Sequence, residues 1–344
     1  MNRPRHRHAA AMLALAAVTL AAAGCARTHT ATTVPGATTS TTTPTPTADA
    51  TTVLAEPTAG IAAVYQLLAS PRSRLNLAMY ELADTAAERI LAADAARGVT
   101  VRVVLDRRRE QAANTAAYRY LAGHGVAVRW APAGFAAYHE KAFTVDGTAA
   151  AVMTLNLVAE DYPDTRDFAV IDHNPADVAA IDTVFDADFA GRAVTPPPDA
   201  RLVWSPGSQA ALVDLIDSAR RSLAVENEEL SDRAVDAAVE AAARRHVAVA
   251  IVMTDSTQWH AEFTALAAVG ANVRTYPDRP GALYIHAKVI VVDGAAVFVG
   301  SENDSVASLD DNRELGLVTA DPAVVAPISA VVAGDAAGGA PWPP

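Results

Sequence analysis

The stretch Tyr138-His-Glu-Lys-Ala-Phe-Thr-Val-Asp-Gly147 returns 147 residues later as Ile285-His-Ala-Lys-Val-Ile-Val-Val-Asp-Gly294. The register then continues: Asn156 matches Asn303, Arg166 matches Arg313, and Asp167 matches Glu314. A repeat of this kind constrains the chain to two like halves, each built around one copy. In each copy a histidine and a lysine stand two residues apart in an apolar, β-branched run, so on a strand they share a face. The Asp-Gly pair that follows, Asp146-Gly147 or Asp293-Gly294, is a favoured two-residue hairpin turn, which predicts a structural role for both aspartates. The returning strand then brings Thr154 and Asn156, or Ser301 and Asn303, back towards the His-Lys face. An imidazole, an ammonium, a hydroxyl and an amide that converge on one point suit a phosphate anion.

Around these stretches helix and strand patterns alternate. The first half reads as helix 61–69, strand 75–80, helix 85–97, strand 99–105, helix 111–122 and strand 126–130, then the motif hairpin, strand 168–171 and helix 175–189. Helix 85–97 has a Thr85…Glu88 capping box and Gly98 as its stop. Thr195-Pro-Pro-Pro-Asp199 separates the halves. The second half reads as helix 207–221, strand 223–226, helix 232–245, strand 247–253, helix 257–269 and strand 272–276, ahead of its own hairpin. Such alternation predicts an α/β fold with a mixed, largely parallel sheet and helices on both faces in each half. The two repeats are expected over residues 57–194 and 200–332, with 333–344 a flexible Gly-, Ala- and Pro-rich tail.

The start of the chain differs in kind. Arg3, Arg5 and Arg7 precede an apolar run over 9–23 and then Gly24-Cys25, the form of an export signal over residues 1–25. Ala-Ala-Gly-Cys resembles the lipobox of bacterial lipoproteins, which implies lipidation of Cys25 and a place on the outer face of the cell membrane. The alternative is secretion after ordinary cleavage. Residues 26–56 are rich in threonine and proline and are expected to form a disordered tether. Net charge is −12, and −15 without residues 1–25, which hold three arginines and no acid. That sign gives no general attraction for nucleic acid. Cys25 is the single cysteine, and no His/Asp/Glu cluster has metal spacing, so neither disulfide, metal nor cofactor is expected.

Phosphodiester cleavage by side chains alone needs a nucleophile, an acid for the leaving alkoxide and neutralisation of the phosphoryl oxygens. His139 and His286 fill the first two roles, and Lys141, Lys288, Asn156 and Asn303 the third. Asp167 and Glu314, each 28 residues after a histidine, can accept an imidazole N–H and fix its tautomer. Their alternative is an ion pair with the adjacent Arg166 or Arg313.

His-x-Lys-x4-Asp-x6-Gly-Ser-x-Asn is the pattern of the phospholipase D superfamily, and residues 286–303 match it in full. The first copy departs from it, with Met153-Thr-Leu-Asn156 in place of Gly-Ser-x-Asn, which puts equal anion contacts in the two halves in question. The resemblance covers residues 57 to 321 and implies two tandem α/β/α sandwich repeats that meet at a pseudo-twofold axis and form one site in a single chain, a monomer. It further implies His139 as nucleophile and His286 as acid and base, a symmetry that the sequence itself does not break. The activity implied is hydrolysis of glycerophospholipids of the phosphatidylcholine type to phosphatidic acid through a phosphohistidine. A nuclease of the same superfamily, a cardiolipin-synthase-like enzyme and a catalytically inactive envelope binding protein are the alternatives.

Overall fold

In a computed structural model, residues 51–198 and 201–343 are described; the expected signal, Cys25 and most of the tether lie outside them. The first half runs β1 (Thr52–Glu56), α1 (Ala62–Leu68), β2 (Arg74–Met79), α2 (Thr85–Ala96), β3 (Thr100–Leu105), α3 (Gln111–Gly123), β4 (Ala127–Trp130), β5 (Lys141–Val145), β6 (Ala149–Met153), β7 (Thr165–Asp172) and α4 (Pro175–Phe189). The second runs β8 (Leu202–Ser205), α5 (Gln209–Asp217), β9 (Ser222–Asn227), α6 (Arg233–Arg244), β10 (Ala248–Asp255), α7 (His260–Ala268), β11 (Asn272–Pro277), β12 (Tyr284–Ile285), β13 (Lys288–Val292), β14 (Ala296–Gly300), β15 (Glu314–Thr319), α8 (Pro322–Gly338) and β16 (Ala340–Pro341).

Each half has a mixed sheet, in the orders β1-β7-β6-β5-β2-β3-β4 and β16-β11-β10-β9-β13-β14-β15-β8. Both are more antiparallel than the expected largely parallel sheet. Within these orders the neighbouring strands that run parallel are β2-β3-β4 and β9-β10-β11, each successive pair joined by a crossover helix, while the motif hairpins add antiparallel strands beside them. Alternation along a strand sends its residues to two cores. Ile290 and Val292 pack with Leu212, Val239 and Phe263 of α5, α6 and α7, whereas Val289 and Val291 enter a core shared by both halves. That shared core also takes Val152, Phe168 and Val170 of the first half, with α4 and α8 against it. At about 1.5–3 kcal/mol for each buried valine, leucine or phenylalanine, it ties the halves into one body.

Several expectations are corrected. The tail is not frayed: α8 continues to Gly338, β16 pairs with β11, and Trp342 packs on Phe263 with ring centroids 5.2 Å apart. Residues 52–56, expected to belong to the disordered tether, form β1 and pair with β7. Helix α2 is capped by Asp84, whose carboxylate accepts the N–H groups of Ala86 and Ala87, rather than by Thr85. Gly98 does end it, at φ +92°. Helix α5 stops at Asp217, short of the expected residue 221, and the N–H groups of Arg220, Arg221 and Ser222 go to the Asp293 carboxylate instead.

Asp293 and its counterpart Asp146 are structural, as their turn chemistry suggests. Asp146 and Gly147 both have positive φ, 53° and 70°, in the turn closed by Thr148 N–H to the Val145 carbonyl. The Asp146 carboxylate then accepts the N–H groups of Arg72, Ser73 and Arg74 and the Ser73 hydroxyl. Partial burial opposes its ionisation, but these donors hold its pKa down at about 2. A carboxyl whose folded pKa is depressed adds stability that is present above its ordinary value near 3.8 and lost as pH falls towards 2. Asp146→Ala is expected to cost about 1–3 kcal/mol at pH 7 and much less near pH 2.5, read from chemical denaturation at both pH values.

Candidate active site

The two halves exchange side chains at their junction. Tyr284 and Ile285 of β12 pair in parallel with Thr165 and Arg166 of β7, and Tyr138 pairs in parallel with Arg313. Each ladder delivers the histidine that follows: His286 N–H donates to the Arg166 carbonyl and His139 N–H to the Arg313 carbonyl, at 3.2 and 2.9 Å. The residue before each histidine is fixed by a side chain at the end of a crossover strand. Tyr138 N–H donates to Asp106 and Ile285 N–H to the Thr254 hydroxyl, at 2.7 and 2.8 Å.

Each imidazole is therefore held by the carboxylate of the other half. His139 Nδ1 lies 2.7 Å from Glu314 Oε2, and His286 Nδ1 lies 2.8 Å from Asp167 Oδ1. With Nδ1 as donor to these carboxylates, Nε2 is the nitrogen available for chemistry in both rings. The alternative for Asp167 and Glu314 is excluded by a second crosswise pair. Arg166 donates to Asp335 of α8, at 2.6 and 3.0 Å, and Arg313 Nε lies 3.0 Å from Asp188 of α4. Asp188 and Asp335 keep the 147-residue offset in the sequence, so a signal for them was present there.

The lysines are almost fully buried between these rings. Lys141 Nζ donates to the His139 carbonyl at 2.9 Å, and Lys288 Nζ to the His286 carbonyl. Burial, reinforced by the charge of Lys288, pushes Lys141 down to about 7. Burial also lowers His139, against the pull of Glu314, and both ammonium groups add to the lowering. Burial alone would raise the Glu314 carboxyl, but His139, Lys141 and the Ser308 hydroxyl outweigh it and keep the group below its ordinary range. A neutral His139 that donates Nδ1–H to an ionised Glu314 satisfies both. Because an anion favours charged Lys141, sulfate should inhibit turnover less strongly as pH rises through about 7, and an inhibition constant that does not change between pH 6 and 8 would contradict this.

Of the remaining expected residues, Asn156 and Asn303 each keep a buried Oδ1 to which no described protein group donates, so neither amide is committed through its oxygen. The hydroxyls of Thr154 and Ser301 behave otherwise. Both are wholly buried against the sheet: Thr154 donates to Asp167 and accepts the Phe168 N–H, and Ser301 accepts the Leu315 N–H. They hold the strands that carry Asp167 and Glu314 instead of converging on an anion, because each lies beside the first N–H after the carboxylate.

Other residues beside the clamps escaped the sequence reading. Ser308 and Asn312 both donate to Glu314 Oε1, at 2.5 and 2.9 Å. Glu228 sits inside the site, with Oε2 3.2 Å from Lys288 Nζ and 3.5 Å from His286 Nε2, and Oε1 accepting the Tyr284 hydroxyl at 2.6 Å. Burial would raise its pKa, but Lys288, His286 and Tyr284 hold it well below the ordinary carboxylate range. It has no carboxylate counterpart in the first half, so the repeat gave no sign of it.

A family model described as "Cardiolipin synthase, PLD-like domain" matches residues 64–189 and again 212–335. No curated protein matches the chain. Among solved structures, phosphatidylserine synthase of Haemophilus influenzae Rd KW20 superposes with a TM-score of 0.63 at 13% identity, over 84% of this chain and 86% of that one. Polyphosphate kinase from Porphyromonas gingivalis superposes with a TM-score of 0.64 at 17% identity over 83% of this chain, which spans only 50% of the kinase. These likenesses concern the fold, two mixed-sheet α/β halves. The family match is stronger, since it falls once on each half and takes in every His, Lys, Asn and carboxylate described above, and it shows that the chain belongs to the phospholipase D-like family.

Proposed function

We propose that the protein is a phosphodiesterase that hydrolyses glycerophospholipids of the phosphatidylcholine type to phosphatidic acid and free head group, through a covalent phosphohistidine. The observation that carries this is the reciprocal clamp: two imidazoles, each fixed at Nδ1 by a buried carboxylate of the other half, share one site with two buried lysines. His139 Nε2 attacks phosphorus, the bond to the head-group oxygen breaks, and that oxygen takes a proton from His286 Nε2. Lys141, Lys288 and the two asparagine amides meet the charge on the phosphoryl oxygens. Water then gives a proton to His286 and attacks the phosphohistidine, which releases phosphatidic acid and restores His139. A single chain completes the site, which supports a monomer. Lipid is favoured over nucleic acid because the chain is acidic and the Glu228 carboxylate stands beside His286 Nε2, where the flanking phosphates of a polynucleotide would be repelled. Arg3 to Cys25 support export and a lipid anchor, tested by labelled palmitate uptake in wild type and Cys25→Ala.

The purified protein should convert phosphatidylcholine to phosphatidic acid with or without EDTA, since the lysines supply the neutralising charge, and should leave plasmid DNA intact. In ethanol-water mixtures it should also form phosphatidylethanol, because a phosphohistidine is open to any hydroxyl acceptor. Cleavage of DNA without lipid turnover would replace lipid by nucleotide diesters. Phosphatidic acid alone at every ethanol level, from active enzyme, would mean that water attacks phosphorus directly.

A further inference from the structure

Two histidines in matching clamps leave open which of them attacks. The pairing of strands shows where the match fails. Lys141 pairs with Met79 across β5 and β2, and Lys288 pairs with Asn227 across β13 and β9. The next residue along, Tyr80 in the first half and Glu228 in the second, therefore occupies the same place beside its own lysine and histidine. Tyr80 presents a ring there. Its centroid is 4.4 Å from that of His139, edge to face, and 4.9 Å from Lys141 Nζ, while its hydroxyl is turned away to Glu110. Glu228 presents a carboxylate to Lys288 Nζ and His286 Nε2. The charges around the two rings differ accordingly. Among the described residues the carboxylate in contact with His139 is Glu314, and the ring feels both ammonium groups. His286 stands between two carboxylates, Asp167 on Nδ1 and Glu228 beside Nε2, with Glu81 close enough to act on it.

We infer that Tyr80 and Glu228 break the symmetry of the site: Glu228 keeps the proton needed by the leaving group on His286 Nε2, and Tyr80 leaves His139 Nε2 bare for attack. An aromatic face attracts the Lys141 ammonium through its quadrupole but adds no net charge that would hold a proton on the neighbouring imidazole. A carboxylate beside Nε2 does the opposite, stabilising an N–H there until an alkoxide develops within reach. Both residues are thus positioning groups that set which histidine carries which role. The inference rests on the phosphodiesterase reading above and extends it to two residues outside the repeated motif.

Two measurements test it. Glu228→Gln keeps an oxygen for Tyr284 and nearly the same shape but removes the charge. Its kcat/KM on phosphatidylcholine, whose alkoxide must be protonated, should fall about 10- to 100-fold further than on a p-nitrophenyl phosphodiester, whose leaving group needs no acid. Equal losses on the two substrates would reduce Glu228 to a structural role and overturn the proposal. The second measurement maps the phosphoryl adduct after an alkaline quench. Label is expected on His139 in the wild type and on His286 in the double variant Tyr80→Glu, Glu228→Tyr. Label that stays on His139 in the exchanged protein would overturn the proposal, as would label on His286 in the wild type. If the exchanged protein does not fold, the leaving-group ratio of Glu228→Gln decides. Turnover with no adduct in the wild type would instead remove the covalent step, and the same ratio would still judge Glu228.

Discussion

Glu314→Gln is expected to lower kcat by about 10^4-fold while leaving the protein folded, the size of loss seen when the carboxylate behind a catalytic histidine becomes an amide. The reason lies in the donors already committed to Glu314. Ser308 accepts the Asn303 N–H, so its own O–H points to Glu314 Oε1, and Asn312 Nδ2 donates to the same oxygen. A glutamine must keep its carbonyl oxygen there. Its NH2 then falls at the Oε2 position, 2.7 Å from His139 Nδ1, and has to donate to it. The ring answers by moving its proton to Nε2, which removes the lone pair that attacks phosphorus. Steady-state kinetics beside a thermal melt would check this. A loss under tenfold would mean that Glu314 does not set the tautomer of His139.

How far the sequence showed this site depends on what each part needs. Features that both copies require are written twice: His139 and His286, the lysines, the asparagines, and Asp146 and Asp293, whose turn demands Asp-Gly. Their places follow from strand alternation and turn chemistry, which are local. The crossing of the clamps is not local. Nothing in the spacing of Asp167 from His139 shows that its partner is His286, because the exchange depends on how two sheets meet at a shared core. Glu228 and Tyr80 were hidden for a different reason, since they are where the copies differ and a search for agreement passes over them. The tail failed on composition: Ala, Gly and Pro near the end suggested fraying, yet Val324, Val325, Ile328 and Val332 give α8 a buried face, and Asp335 gives it an ion pair.

Asp188→Asn should be the most destabilising single change at the junction, by about 3–5 kcal/mol, because it strands the Arg313 guanidinium in a site where its side chain is only 4% exposed. The two partners are not equivalent. Arginine cannot shed its charge, whereas burial already pushes the Asp188 carboxyl up and readies it to take a proton if Arg313 is lost. Arg313→Met should therefore cost less than Asp188→Asn, and the double variant should recover much of the loss of the aspartate variant, since two neutral side chains fill the space without an unpaired ion. Activity should follow a different order. Arg313 is the residue before Glu314, its guanidinium lies over the Phe135 ring at 4.4 Å, and its backbone pairs with Tyr138 and receives the His139 N–H. Any variant that shifts Arg313 moves the carboxylate and the imidazole of one clamp together, so the double variant should regain stability without regaining full turnover. Chemical denaturation of the three proteins, with kcat measured on each, would separate the effects. A loss within 1 kcal/mol of zero for Asp188→Asn would show that the crosswise arginine pairs contribute nothing to holding the halves in register.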